Sequence, residues 1–556
     1  MVIPPRSPRI NSFLLLVLCT AFRAWAQFGA ATVVGIVQDS SKAGITDAKL
    51  KLINTQTGTE NDSATDQAGG FLLPGVIPGP YTLQIERDGF ATTQVNGIEL
   101  DAGDARNLLI LMKVGAVTET VNVDAGALTL NRSNASVSTV VDRKLIAKVP
   151  LNGRSLQDLI SLTPGIVTES PQAATQSGTQ TQGDFSVNGE PTEANSFFVD
   201  GVSANIRSAV ASSASHTGSS GSIAGSTALG TTQSLVSVDA LQEFRVLSST
   251  YSAEYGRTPG GQFTFLTRSG GNDVHGSLYD YFRSNPLDTL DWFAKHSLDI
   301  NKSSVFTGYT PAIYKQNDFG GTLGAPIVLP GIYDGRNRSF LFLSYEGLYV
   351  DQPTPQTYSF VPTFCYGNSG PECPGIPLEV AAVLQTFPFP FYTTPSPGLG
   401  LATVTGASFP SHVNSSSVRV DHIFSPKFSI FFRYGGTPSD GSANQLYSVT
   451  TYRNNTQSLT FGATNQLSAS QSNQLRLGYV GAHVNSSAMT EVLYYGSGHT
   501  GSVPNVDLNA ALGAVNPYGS ASADAYIHLT GLGDSDSNTN QAGVHSMGGT
   551  SEIHSA

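Results

Sequence analysis

Short runs of alternating apolar and polar residues, closed by Gly, Pro, Asn-Gly or Asp-Gly, recur along the chain and change length twice. Near the start, Val34 and Ile36 alternate, then Leu50 and Leu52 beside Lys49 and Lys51, then Tyr81, Leu83 and Ile85 beside Thr82, Gln84 and Glu86. A period of two with one apolar face predicts half-buried strands, and about seven of them make a small sandwich. Further on, Leu156, Leu159, Ile160 and Leu162 take a helical spacing that stops at Pro164-Gly165, which predicts a short helix burying one face. Phe185–Gly189 and Asn195–Val202 predict two short strands with Asn188-Gly189 and Asp200-Gly201 turns. The Ser/Gly/Ala-rich stretch from Ser208 to Ser234 cannot bury enough apolar surface to fold alone and reads as a mobile loop.

From His275 the runs lengthen and gain aromatics: Tyr279 and Tyr281; Leu341, Leu343 and Tyr345 against Phe342, Ser344 and Glu346; Leu475, Leu477 and Tyr479 against Gln474 and Arg476. The clearest hairpin runs from Val418 to Tyr434. It sets Val418, Val420, His422 and Phe424, then Phe428, Ile430, Phe432 and Tyr434, opposite Arg419, Asp421, Ser429 and Arg433, around Ser425-Pro426-Lys427. Apolar out and polar in is the pattern of a transmembrane strand, and so tight a turn suits the periplasmic end.

Composition agrees with a mainly β chain, since charged residues make up only 13% of it. The net charge of -12 comes from scattered acids without a like-charge run, so no nucleic-acid partner is expected. Arg6 and Arg9, the apolar run Phe13–Leu18 and Ala24-Trp25-Ala26 form a secretory signal over 1–26, with cleavage expected after Ala26. A lipid anchor on Cys19 would need a small residue where Leu18 stands. No later stretch is apolar for long enough to make a membrane helix, so any span must be a closed set of strands. Removing the signal leaves Cys365 and Cys373. In an exported protein they most simply form a disulfide closing a short loop, worth about 2.5 kcal/mol, and no His flanks them to suggest a metal pair.

The run Gly35–Asp39, with Gly44, Ala48, Asp66, Gly69-Gly70-Phe71, Leu73-Pro74-Gly75, Gly79-Pro80-Tyr81 and Gly89-Phe90, resembles the carboxypeptidase-regulatory-like (transthyretin-like, carbohydrate-binding-like) module. These residues read as turn and packing positions, and sugar binding enters only through the resemblance. The ten histidines include no His-x-x-Glu or His-Glu-x-x-His arrangement, so the module comes without the enzyme. Val149–Arg154, Asp200-Gly201, Val238–Val246, Tyr251–Gly256 and Gly260–Gly270 resemble the plug of TonB-dependent outer-membrane receptors, close to their Oar-like branch. One departure is Asn188-Gly189, where such plugs commonly carry Arg-Gly.

This resemblance implies a signal (1–26), a β-sandwich (27–113), a linker (114–132), a mixed α/β plug (133–271) and an incomplete transmembrane antiparallel β-barrel (272–556). Barrels of this family have 22 strands, which at about ten residues each plus loops takes roughly 400 residues or more. About 280 lie from His275 to Ala556, so the expectation is the first part of a barrel. Within the linker, Val117–Ala125 resembles a TonB box, with Glu119, Thr120, Val121, Asn122 and Val123 as the coupling residues; a last strand of the sandwich or an ordinary linker fits equally well. Strand addition demands an accessible extended peptide more than particular side chains. The implied partners are TonB with ExbB/ExbD, outer-membrane lipid, and an external solute such as a carbohydrate or peptide. A surface adhesin without active transport is the rival. No P-loop, Gly-x-Ser-x-Gly or zinc motif is present, so no cofactor and no catalytic residue is expected. Glu254, Tyr255 and Trp292 could face ligand, but packing or turn roles are commoner for such residues.

Overall fold

The computed structural model describes residues 31–115, 120–124, 137–148, 156–168, 185–207, 222–224, 227, 234–249, 251, 255–256, 258–287, 315–353, 357–362, 392–393, 399–404, 408–445, 448–468, 471–489, 525–527, 545–547 and 550–555. The expected signal, Cys365 and Cys373 lie outside them.

The first eight strands are β1 (Ala31–Gln38), β2 (Lys49–Asn54), β3 (Glu60–Ala64), β4 (Gly70–Val76), β5 (Gly79–Glu86), β6 (Thr92–Leu100), β7 (Ala105–Leu111) and β8 (Thr120–Asp124). Sheet β4–β1–β7 and sheet β3–β2–β5–β6–β8 contribute to one apolar core, in which Val33, Phe71 and Leu108 of the first meet Leu50, Leu83 and Val95 of the second. Lys49 and Lys51 point to solvent while Leu50 and Leu52 are buried, as the alternation predicts. On β1 the expected parity is reversed: Ala31, Val33 and Val37 face the core, and Ile36 is exposed. Gly35 is the cause. It lies on the buried face, where a Cβ would collide with the Leu108 carbonyl and the Phe71 ring, so the inward set is broken by a residue without a side chain. Asp66 earns its place in the turn before β4 by accepting the backbone N–H groups of Ala68 (2.8 Å) and Gly70 (2.7 Å).

The plug contains β9 (Val137–Asp142), α1 (Arg143–Lys148), α2 (Leu156–Ser161), β10 (Ile166–Thr168), β11 (Phe185–Val187), β12 (Ser196–Val199), β13 (Val202–Ser203), β14 (Asn205–Arg207), β15 (Ser222–Ala224), β16 (Leu241–Ser249) and β17 (Gln262–Thr267). Its main sheet runs β13–β12–β17–β16–β9, with β12 parallel to β17. Leu156, Leu159 and Ile160 of α2 are buried with Phe185, Phe197 and Phe263, whose rings sit 5.0 to 5.9 Å apart. Leu162, expected on that face, is exposed instead, because Leu162 and Thr163 bond back three residues and the chain turns at Gly165 (φ +84°).

The remaining strands are β18 (His275–Ser284), β19 (Lys315–Pro326), the hairpin β20 (Val328–Leu329) and β21 (Tyr333–Asp334), β22 (Ser339–Pro353), the small sheet of β23 (Thr357–Pro362), β24 (Tyr392–Thr393) and β25 (Leu399–Val404), then β26 (Ser408–Ser425), β27 (Phe428–Gln445), β28 (Ser448–Ser468), β29 (Gln471–Met489), β30 (Ala525–Ile527), β31 (His545–Met547) and β32 (Thr550–Ser555). Eight of them form one antiparallel wall in the order β18–β19–β22–β26–β27–β28–β29–β32. Its first and last strands do not pair with each other among the described residues, so the wall is an open sheet. Val418 pairs Tyr434, Val420 pairs Phe432 and His422 pairs Ile430 on the outer face; Arg419 opposite Arg433 and Asp421 opposite Phe431 lie on the inner one. Val418, Phe424, Phe432, Leu477 and Tyr479 are exposed, whereas Arg419 and Arg433 are buried. An apolar outer band against a polar interior is what a bilayer requires of strands.

Tyr279 departs from the expected outer placement. Tyr279 stands in line with Gly320 and Glu346 across three strands and donates to Glu346 Oε2 at 3.2 Å on the inner face. Its ring lies over Gly320, whose missing Cβ leaves the room. The outward residues of β18 include Leu278, Asp280 and Phe282.

Candidate functional site

Two sets of charged residues join the three bodies. The first sits where the plug meets the wall. The β12–β13 hairpin turns at Asp200 (φ +50°) and Gly201 (φ +83°), both left-handed, which suits the Asp-Gly pair. That turn buries the Asp200 carboxylate, which accepts the Thr267 amide (2.9 Å) and hydroxyl (2.8 Å). Arg419 of the wall approaches it at 3.4 Å and Arg433 at 3.7 Å. Arg419 also pairs with Asp421 at 2.8 Å and donates to the Thr267 carbonyl at 3.1 Å. Phe431 lies between the Arg419 and Arg476 guanidinium groups, 4.5 and 5.1 Å from its ring centre, a favourable cation–π placement. Three arginines of the wall thus face two carboxylates, Asp200 of the plug and Asp421 of the wall. Beside them Val202 packs on Gly478, where a Cβ would clash.

The second set joins the sandwich to the plug. Residues 101–104, between β6 and β7, lie against β16. The Ala102 amide donates to Glu243 Oε1, and Arg245 donates back to the Ala102 carbonyl, both at 2.5 Å. Arg245 also lies 3.8 Å from Asp104 and donates to Ser138 Oγ at 3.0 Å. Burial, and then the nearby Asp101 carboxylate, push the Glu243 carboxyl up to about 8. Asp101 is raised as well, by its own burial and by Asp104.

A cavity of about 700 Å³ lies between the three bodies. Pro78 and Tyr81 line it from the sandwich, Glu243 and Arg268 from the plug, Phe431 and Gln474 from the wall. Tight connections of the wall, at Ser425–Phe428 and between β28 and β29, are at this end; the long ones, 288–314 and 354–407, follow the opposite strand ends, as does the short link from Gln445 to Ser448.

Of the expected coupling residues, Thr120, Val121, Asn122 and Val123 lie in β8, which pairs in parallel with β6 at the edge of the five-stranded sheet, from Thr92 opposite Thr120 to Asn96 opposite Asp124. Val123 packs against the sandwich core and Asn122 is exposed. Glu119 lies outside the described residues, as do Glu254 and Trp292. Tyr255 is edge-on to Tyr251 at 6.4 Å, beside Gly103 of the sandwich turn. Asn188, where an Arg was expected from related plugs, donates to the Ser248 carbonyl at 3.0 Å. The sequence marked Asp200, Arg419 and Arg433 only as turn or inward residues. Their convergence depends on contacts 219 positions apart.

Residues 266–548, just over half of the chain, match the outer membrane beta barrel domain family. Residues 32–113 match the carboxypeptidase regulatory-like domain and 130–262 the TonB-dependent receptor plug domain. The chain belongs to the outer-membrane β-barrel family, with a plug seated against its wall. More particularly, its plug and N-terminal regulatory-like sandwich match the domains found in TonB-dependent receptors of the outer membrane. It is similar to the TonB-dependent transporter Oar of Myxococcus xanthus, 25% identical over 314 residues that cover 55% of this chain and 26% of that protein. Among solved structures it is similar to the outer membrane transporter YddB of Escherichia coli (16% identical, TM-score 0.40, 64% of this chain and 40% of that one). It is also similar to a ferric enterobactin receptor mutant of Pseudomonas aeruginosa (13% identical, TM-score 0.35, 63% of this chain and 49% of that one).

Proposed function

We propose that the protein imports an external solute, a carbohydrate or peptide, across the outer membrane, with energy delivered by TonB and ExbB/ExbD to the segment Glu119–Ala125. The observation that carries this reading is the buried charge contact of Asp200 with Arg419 and Arg433. A plug held to its wall by a few specific ion pairs can be released by a pull and reseat afterwards, because those pairs re-form in only one geometry. The outer membrane holds no ATP, so the pull has to come through a periplasmic peptide. An edge strand such as β8 presents backbone groups to which a partner strand adds. The adhesin reading is less well supported, since the sandwich lies at the short-turn end of the wall, away from the long connections.

Deleting Glu119–Ala125 is expected to abolish energy-dependent uptake of labelled carbohydrate or peptide mixtures while leaving their binding to whole cells unchanged. Uptake that survives the deletion would remove the coupling assignment.

A further inference from the structure

The sandwich and the plug keep separate apolar cores, one on each side of their contact. What crosses between the sandwich and the rest is polar. Besides the Ala102 turn, Lys144 pairs with Glu99 at 3.0 Å, Asn272 donates to the Gln56 and Thr57 carbonyls at 3.3 and 3.0 Å, and Gln466 of the wall donates to the Asp62 carbonyl at 3.2 Å. Gly75 (φ +72°) sits directly on Ser472 of β29, and any Cβ there would strike the serine side chain. Beneath it the half-buried Gln474 faces the cavity, and its side-chain amide has no hydrogen-bond partner among the described residues. A carboxyl pair, the half-buried Asp101 and the buried Glu243, lies in the same seam. A contact that is polar and without a shared core is the kind across which domains move.

The position of the sandwich gives that motion a use. It forms one side of the 700 Å³ cavity, at the short-turn mouth of the wall and below the Asp200 ion pairs. We propose that the sandwich is a second gate: it closes the periplasmic mouth beneath the plug and must lift away before a solute that has passed the plug can leave. The force route follows from the chain order, and this part alone rests on reading β8 as the coupling strand. β8 is paired along β6, and β6 ends at Leu100, one residue before the turn that docks on Glu243 and Arg245. A pull on β8 therefore reaches the docking turn through the sandwich sheet.

The test uses the purified full chain in detergent micelles, with Cys365 and Cys373 changed to Ser. Ser472→Cys reports the sandwich contact, and Ala240→Cys reports the plug core, where Ala240 is buried. In urea below the unfolding midpoint, Ser472→Cys is expected to react with a maleimide at least tenfold faster than Ala240→Cys. Hydrogen exchange on the unaltered chain gives the same comparison without a cysteine, the Ala102 and Asn272 amides opening before those of Phe244 and Phe265. If both positions open together, the sandwich and plug are one cooperative body and the gate is overturned. Reaction of Ser472→Cys at full rate without urea would also overturn it, because the contact would then not close the mouth. No TonB is present in this assay, so its failure is independent of the uptake test on the Glu119–Ala125 deletion.

Discussion

Asp200→Asn is expected to loosen the plug from the wall by roughly 3–5 kcal/mol, the usual cost of leaving a buried charge without its partner. Asparagine is the informative replacement because it tolerates the left-handed backbone at φ +50° and can still accept the Thr267 amide. Only the charge and one acceptor are lost. Arg419 retains Asp421, but Arg433 has no other carboxylate within ion-pair distance among the described residues; its other recorded contact is a 3.3 Å hydrogen bond to Ser458. Three wall arginines would then face Asp421 alone. The measurement is the urea dependence of protease cleavage within the plug, where the variant should be cut at clearly lower urea than the parent. Adding Arg433→Leu should recover part of the loss, since it removes the charge that Asp200 balanced. If Asp200→Asn changes nothing, or the double variant is worse by the full sum of the two singles, these residues do not lock the plug to the wall.

Docking of the sandwich should weaken as pH rises from mildly acidic to alkaline. Glu243 has its carboxyl raised from 4.5 to about 8 in the docked state, chiefly by burial and next by Asp101. A raised carboxyl favours the state that holds its proton, so the docked form is fully favoured below about pH 4.5 and loses that advantage as pH climbs towards about 8. The groups facing Glu243 are Asp101, Asp104 and the Ala102 amide from the sandwich turn, and Arg245 from its own strand; Arg106 and Asp142 act on Asp101. One proton limits the effect to at most about tenfold per pH unit. Protection of the Ala102 amide, corrected for intrinsic exchange, is therefore expected to fall by roughly tenfold or more between pH 6 and 8. Glu243→Gln should flatten this dependence, because its amide accepts from Ala102 and donates to Asp101 as the protonated acid does. Equal slopes for parent and variant would assign the pH effect elsewhere.

Where one face of a strand is continuous, as for Leu50 and Leu52 beside Lys49 and Lys51 or for Arg419 and Asp421 beside Val418, Val420 and His422, alternation alone gave the correct orientation. It failed where a glycine interrupts the pattern. Gly35 hid the buried face of β1, and Gly320 made room for Tyr279 on the inner face of the wall. Helix α2 was legible from its spacing, but its last apolar residue was overruled by the turn at Gly165. The charged contacts were beyond this kind of reading: Asp200 and Arg419, or Ala102 and Glu243, are 219 and 141 positions apart, and nothing local to either marks the other. β8 is the intermediate case. An extended, β-prone segment was legible there, while its pairing with β6 depends on tertiary contact.

Phe342 belongs to the wall strand β22, yet it is buried in the same apolar cluster as Leu159, Phe244 and Phe265 of the plug, with the Arg268 guanidinium 5.0 Å from its ring centre. The plug precedes β22 in the chain, and without that strand its core lacks this ring. Losing a buried phenylalanine typically costs about 3–5 kcal/mol, so the plug reaches its final stability only during assembly with the wall. Folding of the plug is thus coupled to that of the wall, and a plug that forms first has to be kept from aggregating until β22 supplies the missing ring.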